Sequence, residues 1–172
     1  IKQLLHAHNL DKNVLITGAG GSIGSELARQ VCELNPKRLV LLDVSEYNLY
    51  KIEQELNTFL ARGGQLEIIP LLGSILDEQL LDSIFKRFNI NTVYHAAAYK
   101  HVPMVESNVS QGFANNVLGT WKLAQVCLKY RVEKFILIST DKAVRPTNFM
   151  GASKRLAELI LQSMVAKYSE LK

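Results

Sequence analysis

The sequence predicts an α/β fold built on a doubly wound, parallel sheet. Short apolar runs rich in β-branched residues alternate with longer segments of helical spacing, a glycine cluster follows the first run, and an aspartate ends the second. Strands that alternate with helices pair in parallel, because each helix carries the chain back across a face of the sheet. The 172 residues are enough for one such domain.

Each element follows from its local pattern. The apolar runs predict strands at residues 14–17, 39–43, 66–70, 92–95 and 134–139, buried on both faces. Apolar residues three and four apart predict helices at residues 22–33, 46–60, about 77–88 and 116–130, and a last helix that begins at Phe149 or Met150. The second helix is expected to stop near Gly63 and Gly64.

Composition argues against several classes of protein. Hydrophobic residues make up 48% of the chain, and no apolar run approaches the roughly 20 residues that cross a bilayer. The net charge of +4 comes from scattered Lys and Arg, so nucleic-acid binding is not indicated. Cys32 and Cys127 lie among apolar neighbours and are predicted to be buried, reduced thiols. His6, His8 and His95 have no metal-ligand spacing, and we assign no metal.

The glycine cluster between the first strand and the first helix predicts a dinucleotide site. Gly18 permits a tight turn, Gly21 lets the backbone approach a pyrophosphate, and Gly24 lets helix and strand pack closely. Amides of the first helical turn then face the phosphates. The cofactor-binding residues predicted here are Gly18, Gly20, Gly21, Ser22, Ile23 and Gly24. An ordinary strand-to-helix turn is the alternative, and the Gly-Lys-Ser/Thr ending of a nucleotide triphosphatase is not present.

Asp43 favours NAD over NADP as the dinucleotide. It ends the second strand, where a carboxylate accepts hydrogen bonds from the adenosine ribose hydroxyls and repels a 2′-phosphate. The residues that follow, Val44, Ser45 and Glu46, include no Arg that would hold such a phosphate, and Ser45 is counted in the site. Alternatively, Asp43 caps the helix that starts near Glu46, a role compatible with the first.

Residues 138–154, termed here the rim segment, carry the most informative polar side chains. They follow the last buried strand and so lie where open α/β sheets place their ligands. Thr140, Asp141 and Lys142 offer a hydroxyl, a carboxylate and an amine in succession. Lys154 lies one helical turn after Met150, so the two side chains share a face of the last helix.

Taken together, these motifs resemble the extended short-chain dehydrogenase/reductase family. Within it the chain is similar to the nucleotide-sugar 4,6-dehydratases, in particular the UDP-N-acetylglucosamine 4,6-dehydratase and CapD-like polysaccharide biosynthesis group. The matching parts are residues 17–24, Asp43 with Ser45 and Glu46, His-Ala-Ala-Ala-Tyr-Lys-His-Val-Pro at 95–103, Asn116 with Gly119 and Thr120, and the rim segment. The resemblance implies an NAD-binding Rossmann domain over residues 1–172, truncated at its C-terminus and lacking most of the substrate lobe.

The resemblance also implies a dehydration with internal redox. NAD takes a hydride from carbon 4 of a UDP-amino sugar of the UDP-N-acetylglucosamine type, carbon 5 loses a proton, water leaves from carbon 6, and the hydride returns to carbon 6. The product is a 4-keto-6-deoxy sugar nucleotide for polysaccharide or glycan biosynthesis. Asp141 would protonate the departing hydroxyl and Lys142 would take the carbon 5 proton. Thr140 would bind the 4-hydroxyl, and Lys154 would hold the nicotinamide ribose.

Further positions take their expected roles from the resemblance. The additional cofactor residues are Ile75, Ala96, Ala97, Ala98, Asn116 and Ser139. Ile75 stands near where related enzymes touch adenine with an Asp, so that contact stays open, and the alanines could equally reflect a tightly packed helix. Asn116 is expected to order the active-site loop or a water. Lys100, His101 and Asn148 are expected at the substrate, with solvated loop residues as the alternative for the first two.

Met150 departs from the superfamily pattern, which has a Tyr as general base at this position. A thioether has no proton to exchange. Either the protein is an inactive relative, or another group deprotonates the 4-hydroxyl. The resemblance favours the second, because long, membrane-anchored members of the group look the same here, and Asp141 is the expected base, directly or through water.

Other functions stay open beside the dehydratase, namely an epimerase or dehydrogenase of the same fold and a non-catalytic NAD-binding protein. Adjacent Asp141 and Lys142 favour the dehydratase, since an epimerase needs no acid for elimination at carbon 6. The complete protein is expected to be a homo-oligomer whose domain lies in the cytoplasm, anchored at a bacterial inner membrane through segments outside these residues. The 172 residues alone are expected to bind NAD with little or no turnover.

Overall fold

Five parallel strands form one sheet. They are β1 (Asn13–Thr17), β2 (Arg38–Asp43), β3 (Glu67–Leu72), β4 (Thr92–His95) and β5 (Lys134–Leu137), arranged in the order β3-β2-β1-β4-β5. This computed structural model describes residues 11–61 and 66–167. The predicted doubly wound parallel sheet is confirmed, whereas Gly63 and Gly64, like His6 and His8, lie outside the described residues.

Helices pack on both faces of the sheet. They are α1 (Ser22–Glu33), α2 (Glu46–Leu60), α3 (Glu78–Phe88), α4 (Val102–Ser107), α5 (Val109–Phe113), α6 (Thr120–Lys129) and α7 (Phe149–Lys167), with a π-helical turn at Ala114–Gly119 and a 3₁₀ turn at Asp141–Ala143. Successive β1 side chains point to opposite faces. Leu15 packs in a cluster with Phe85 of α3, and Ile16 packs in another with Ile52 of α2. Within the described ranges no helix is long and apolar enough to cross a membrane.

The two cysteines are buried and unpaired, as predicted. Cys127 belongs to the cluster with Leu15, and Cys32 belongs to the cluster with Ile16. Burial raises the pKa of both thiols, so both stay protonated at neutral pH. They act as small hydrophobic side chains of the core.

β3 and β5 form the two edges of the described sheet. The prediction that every strand is buried on both faces is wrong for them, because each has only one neighbouring strand and its residues are partly exposed. β3 also runs two residues beyond the predicted end, through Pro70, which pairs with Leu41. An edge strand tolerates proline because half of its backbone groups need no partner in the sheet.

The helical segment before β5 begins earlier than predicted. The expected helix at 116–130 is preceded by α4, α5 and the π-helical turn, so α6 itself starts only at Thr120. Pro103 lies in the first turn of α4, where its missing N–H has no helical partner to lose. The non-helical backbone at Asn108, with φ −137° and ψ 52°, separates α4 from α5.

The carboxyl ends of the central strands meet at one edge of the sheet. Thr17 of β1 pairs in register with His95 of β4, and His95 pairs with Leu137 of β5. The glycine turn (residues 18–24), the loop at 96–101 and the rim segment therefore leave the sheet side by side. β2 and β3 lie on one side of β1, and β4 and β5 lie on the other. Open α/β sheets bind ligands at this point, between β1 and β4, where the strand order changes direction.

Candidate functional site

The glycine turn is held in place by backbone contacts that a side chain would block. Gly18 adopts a φ of +67°, and its N–H donates to the carbonyl of Leu42 at 2.8 Å. A Cβ atom on Gly18 would lie 2.7 Å from the backbone of Ala97, and one on Gly24 would lie 1.9 Å from the carbonyl oxygen of Gly18. β1, α1 and the loop after β4 can thus approach closely only with glycine at these two positions.

Asp43 links the glycine turn to the start of α2. Its two carboxylate oxygens accept hydrogen bonds from the N–H groups of Gly20 and Ser45, both at 2.8 Å. Ser45 is the N-cap residue of α2, and its hydroxyl accepts from the N–H of Asn48 at 3.4 Å. The helix cap is therefore Ser45 and not Asp43. Each carboxylate oxygen keeps a lone pair for a further donor.

A groove of about 260 Å³ opens beside the glycine turn. The predicted cofactor residues that line it are Gly18, Gly21, Asp43, Ser45, Ile75, Ala96, Ala97 and Ala98. The other predicted residues of the turn lie around it: Gly20 packs against Asn48 of α2, Gly24 packs against Gly18, and Ser22 begins α1. Ile23, in the first turn of α1, is 51% exposed.

Asn116 lies behind this groove, where it holds the loop after β4. Asn116 is only 1% exposed. Its Oδ1 atom accepts from the N–H of Tyr99 at 2.8 Å, and its Nδ2 atom donates to the carbonyl of Tyr99 and to the hydroxyl of Ser153, both at 3.0 Å. Asn115, the preceding residue, lines the groove instead. Asn116 thus joins the loop to α7 and leaves no free polar atom for a cofactor.

His95 lies in a buried chain of hydrogen bonds. Thr120 donates to the carbonyl of Asn116 at 2.7 Å, so its oxygen accepts from Nε2 of His95 at 2.9 Å, and Nδ1 accepts from Thr17 at 2.6 Å. Burial and the nearby charge of Lys154 lower the pKa of His95 to about 3. The imidazole is therefore neutral and structural. Among the described residues no group of three or more His, Cys, Asp or Glu could hold a metal ion.

Lys100 extends from the loop after β4 to the first turn of α1. Its amine donates to the hydroxyl of Ser22 at 3.1 Å. The structure thus places this lysine beside the glycine turn, whereas the sequence analysis expected it at the substrate. His101, exposed, lines a second cavity of about 460 Å³ formed with Met104 and Gln111.

The rim segment presents its three polar residues at the surface. Thr140 donates to the carboxylate of Asp141 at 2.9 Å, and the amine of Lys142 lies 3.4 Å from the same oxygen. The hydrogen bond from Thr140 and the charge of Lys142 lower the pKa of Asp141. Asp141 is therefore a carboxylate at neutral pH, a form suited to accept a proton rather than to donate one.

Lys154 and Met150 lie on one face of α7, as predicted, and both are buried. The Lys154 amine donates to the carbonyl of Ile138 at 2.8 Å. Burial lowers the pKa of Lys154 to about 8, and the carboxylate of Glu158 opposes part of that shift. Ser139, expected at the cofactor, donates its hydroxyl to Glu158 at 2.5 Å.

The start of α7 uses a residue that the sequence analysis assigned to the substrate. Asn148 precedes the helix, and its Oδ1 atom accepts from the N–H of Gly151 at 2.8 Å, which is the geometry of an N-cap. The N–H of Phe149 donates to Glu106 of α4 at 2.5 Å. The side-chain oxygen of Asn148 therefore stabilises the helix that carries Lys154.

Comparison with known proteins now gives the family. Residues 14–172 match the family described as polysaccharide biosynthesis protein. The chain belongs to this family. The resemblance inferred from the sequence motifs is thereby confirmed.

The polysaccharide biosynthesis family assignment agrees with individual relatives. The chain is 44% identical over 154 residues to the capsular polysaccharide biosynthesis protein CapD of Staphylococcus aureus, covering 90% of this chain and 25% of CapD. It is 43% identical over 148 residues to a membrane protein of Methanocaldococcus jannaschii, covering 86% and 42%. It is 31% identical over 144 residues to a UDP-N-acetylglucosamine 4,6-dehydratase (inverting) of Campylobacter jejuni, covering 83% and 40%. The chain thus spans less than half the length of these relatives.

Solved structures share the fold of this family member. Pen from Bacillus thuringiensis superimposes with a TM-score of 0.83 at 30% identity, over 95% of this chain and 49% of that one. A UDP-glucose 4-epimerase from Bifidobacterium longum, solved with NAD⁺ and UDP, gives a TM-score of 0.78 at 24% identity, over 90% and 49%. The second likeness establishes the fold alone.

Sequence reasoning missed two polar residues at the site of this family member. Asn115 is adjacent to an identical residue, and only the π-helical turn decides which of the two lines the groove. Glu158 lies four residues after Lys154, a spacing that places both on one face of α7 and could have indicated the pair.

Proposed function

We propose that the complete protein is an NAD-dependent 4,6-dehydratase for a UDP-amino sugar of the UDP-N-acetylglucosamine type, in polysaccharide or glycan biosynthesis. One observation carries the proposal: the glycine turn after β1 and the Thr140–Asp141–Lys142 run after β5 leave the same edge of the sheet, with only β4 between them. A dinucleotide held at the first would extend toward the second. The relative named as a UDP-N-acetylglucosamine 4,6-dehydratase supports this activity, and CapD, named for capsular polysaccharide biosynthesis, supports the biosynthetic role.

The glycine turn and Asp43 fit a dinucleotide. Backbone atoms occupy the space that a Cβ would take at Gly18 and Gly24, which fixes the turn. Gly21 lines the groove beside it, so the first-turn amides of α1 would face a pyrophosphate bound there. Lys100, whose amine already lies 3.1 Å from Ser22, would add a positive charge there. The free lone pairs of Asp43 would accept the ribose hydroxyls and disfavour a 2′-phosphate, so NAD is preferred to NADP.

The rim residues can conserve protons through the reaction. NAD bound at the glycine turn would supply the hydride acceptor for carbon 4 of the sugar and the hydride donor for carbon 6. Asp141, a carboxylate at neutral pH, accepts the proton of the 4-hydroxyl and later donates it to the hydroxyl that leaves carbon 6 as water. Lys142 must first release its own proton, which desolvation beneath a bound sugar would favour; its neutral amine would then take the carbon 5 proton and return it to carbon 5 of the product. The net loss is one water.

In this cycle Asp141 makes both proton transfers that involve sugar oxygens, from the 4-hydroxyl and to the hydroxyl that leaves carbon 6. The Thr140 hydroxyl donates to Asp141 in this structure. When substrate binds, this hydroxyl would turn toward the 4-hydroxyl of the sugar. Lys154 would hold the nicotinamide ribose, since its buried amine lies at Ile138, at the start of the rim, and keeps two N–H donors beyond the one given to that carbonyl. Met150, buried and without an exchangeable proton, takes no part in proton transfer.

The assembly of the complete protein is also a proposal. Ala152, Leu156, Leu159, Ser163 and Ala166 are exposed on α7 at alternating spacings of four and three, a pattern typical of a helix that packs against another helix. We expect this face to form a homo-oligomer contact. The Methanocaldococcus relative, named as a membrane protein, supports anchoring at the membrane by other parts of the protein, and we expect this domain to lie on the cytoplasmic side.

Mass spectrometry of the reaction product tests the activity. The complete protein, given UDP-N-acetylglucosamine and NAD, should yield a sugar nucleotide lighter by one water. Asp141→Asn and Lys142→Met should abolish this product while NAD binding, measured by calorimetry, is retained. Lys86→Met, a surface change on α3, is the matched control and should behave as the unchanged protein.

An unchanged mass with intact NAD binding would contradict the dehydratase. The epimerase would then be supported by a new sugar stereoisomer in the NMR spectrum of the product. A protein that binds NAD and changes no sugar would be the non-catalytic alternative. Tighter binding of NADP than of NAD would separately contradict the role given to Asp43.

A further inference from the structure

Two side chains of α7, one helical turn apart, hold two successive residues at the end of β5. The Lys154 amine donates to the carbonyl of Ile138 at 2.8 Å. The Ser139 hydroxyl donates to the Glu158 carboxylate at 2.5 Å. The backbone is therefore attached to α7 immediately before Thr140, the first of the three polar rim residues.

The other end of the same turn packs on α7 as well. A Cβ atom on Gly151 would lie 2.3 Å from the carbonyl oxygen of Lys142, so the 3₁₀ turn rests directly on the helix backbone. The Thr140 oxygen and the N–H of Lys142, 3.4 Å apart, close the turn internally. Thr140, Asp141 and Lys142 thus lie on a short turn, and the residues at both of its ends contact α7.

Glu158 is itself fixed and charged. Arg155 donates to its second oxygen at 2.8 Å, and the Glu158 side chain is only 24% exposed. The hydrogen bonds from Ser139 and Arg155 lower the pKa of Glu158, so it is anionic at neutral pH. This carboxylate is the charged group that raises the pKa of the buried Lys154, and the charge of Lys154 in turn lowers the pKa of His95.

We propose that Glu158 is a positioning residue, which fixes the Thr140–Asp141–Lys142 turn through the Ser139 hydroxyl and supplies the counter-charge of Lys154. It touches neither substrate nor cofactor. The Ser139 hydroxyl is accordingly a structural donor rather than a cofactor ligand. The catalytic consequence rests on the proposed dehydratase function, whereas the positioning itself is a property of these side chains.

Three variants separate the two parts of this role. Glu158→Gln keeps an oxygen that can accept from Ser139 and removes the charge. Ser139→Ala keeps the charge and removes the hydrogen bond. Glu158→Ala removes both. Glu26→Gln is the matched control, because Glu26 forms an equivalent i,i+3 ion pair with Arg29 on α1, away from the rim.

Two measurements on the complete protein do not depend on turnover. Hydrogen exchange of the amides at residues 139–143 should be faster in Ser139→Ala and Glu158→Ala, and unchanged in Glu158→Gln. The titration of Lys154, followed by NMR of ¹³C-labelled lysine, should move to lower pH by roughly 0.5 unit in both Glu158 variants. It should not move in Ser139→Ala, because the carboxylate remains.

The third measurement is kinetic. With UDP-N-acetylglucosamine, Ser139→Ala and Glu158→Ala should lower kcat by roughly tenfold or more with little change in KM, since a small misplacement of reacting groups slows the chemical step. The double variant Ser139→Ala with Glu158→Ala should be no slower than Glu158→Ala alone, because both remove one contact. Glu26→Gln should change neither constant.

The outcomes keep this inference distinct from the proposed function. If the unchanged protein forms no dehydrated product, the dehydratase fails, while hydrogen exchange and the Lys154 titration still test the positioning. If Glu158→Ala matches Glu26→Gln in hydrogen exchange, in Lys154 titration and in kcat, the role proposed for Glu158 is overturned. If Glu158→Gln and Glu158→Ala accelerate hydrogen exchange equally, the hydrogen bond to Ser139 is not the positioning contact.

Discussion

Gly24 is the residue at which α1 crosses the glycine turn most closely. A Cβ atom there would lie 1.9 Å from the carbonyl oxygen of Gly18, and backbone atoms cannot move aside as a side chain can. We expect Gly24→Ala to lower the free energy of unfolding by about 2 kcal/mol, as overpacking does, and to abolish measurable NAD binding in calorimetry. Gly21→Ala, whose Cβ would lie 3.2 Å from the same oxygen, should destabilise the protein less. Equal losses of stability would show that the close approach at Gly24 is not what the turn requires.

His95 makes the stability of the protein depend on pH. Its pKa is about 3 in the folded protein and 6.5 as the ordinary value. Between these values the unfolded chain binds the proton and the folded one does not, so the stability that neutral His95 contributes is present above pH 6.5 and is lost as the pH falls. From pH 7 to pH 5 this single group should lower the free energy of unfolding by about 2 kcal/mol.

Urea unfolding at pH 7, 6 and 5 measures this effect. His95→Gln keeps a donor that can face Thr120 and has no group that titrates in this range. The pH dependence of the variant should be shallower than that of the unchanged protein by the amount stated, since all carboxylates are common to both. Parallel curves would show that His95 titrates with the same pKa in the folded and unfolded chains, and would contradict a buried, neutral imidazole.

At the scale of the element, the stability of α7 depends on the capping of its first turn. Asn148 caps the helix through the N–H of Gly151, and Asn148→Ala should lower the free energy of unfolding by about 1 kcal/mol. Asn148→Asp should restore most of the loss, because Asp is an equally good N-cap. If Asn148 instead binds a UDP-sugar, the added negative charge of Asp should raise KM for the anionic substrate. Thermal unfolding and KM together distinguish the two roles.

The longer elements could be predicted because each carries its own periodic pattern. β1, β2 and β4 are apolar runs, and α1 and α3 show apolar residues three and four apart. α4 and α5 could not be predicted in this way. They have six and five residues, and each buries a single one, Val105 and Gly112, which is too few to form a periodic pattern.

The contacts of the site were less predictable than its residues. Lys100 and Ser22 are 78 residues apart in sequence, and they meet only because β1 and β4 are neighbours in the sheet. The burial of Asn116 follows in the same way from the π-helical turn, which directs Asn115 to the groove. Motif spacing identifies the residue types that a site needs, but the sheet order decides what each of them touches.

For the whole molecule, the site lies where two cores meet. Leu15 and Val93 face the cluster that includes α3 and α6, whereas Ile16 and Tyr94 face the cluster that includes α1 and α2. Both clusters meet at β1 and β4, whose ends carry the glycine turn and the loop after β4. A dinucleotide bound there would touch elements of both faces. Rigid strands thus hold polar loops at a fixed separation, as precise positioning of a ligand requires.

The exposed face of α7 is a further property of the whole molecule. Leu156 and Leu159, at the centre of this face, are 40% and 43% exposed. Burial of such leucines between two helices would favour association. We expect the complete protein to have the mass of a dimer or larger oligomer by light scattering. Leu156→Lys combined with Leu159→Lys should lower that mass to the monomer's, because two paired lysine faces would repel each other.

Phe59→Lys, on the outer side of α2, provides the control for this test. Phe59 is similarly exposed, at 48%, and lies on a different helix. It should leave the mass of the oligomer unchanged, and circular dichroism should show that all the variants keep the native helix content. If the unchanged protein is a monomer, or if the Leu156→Lys and Leu159→Lys double variant still assembles, the exposed face of α7 is not the contact between copies.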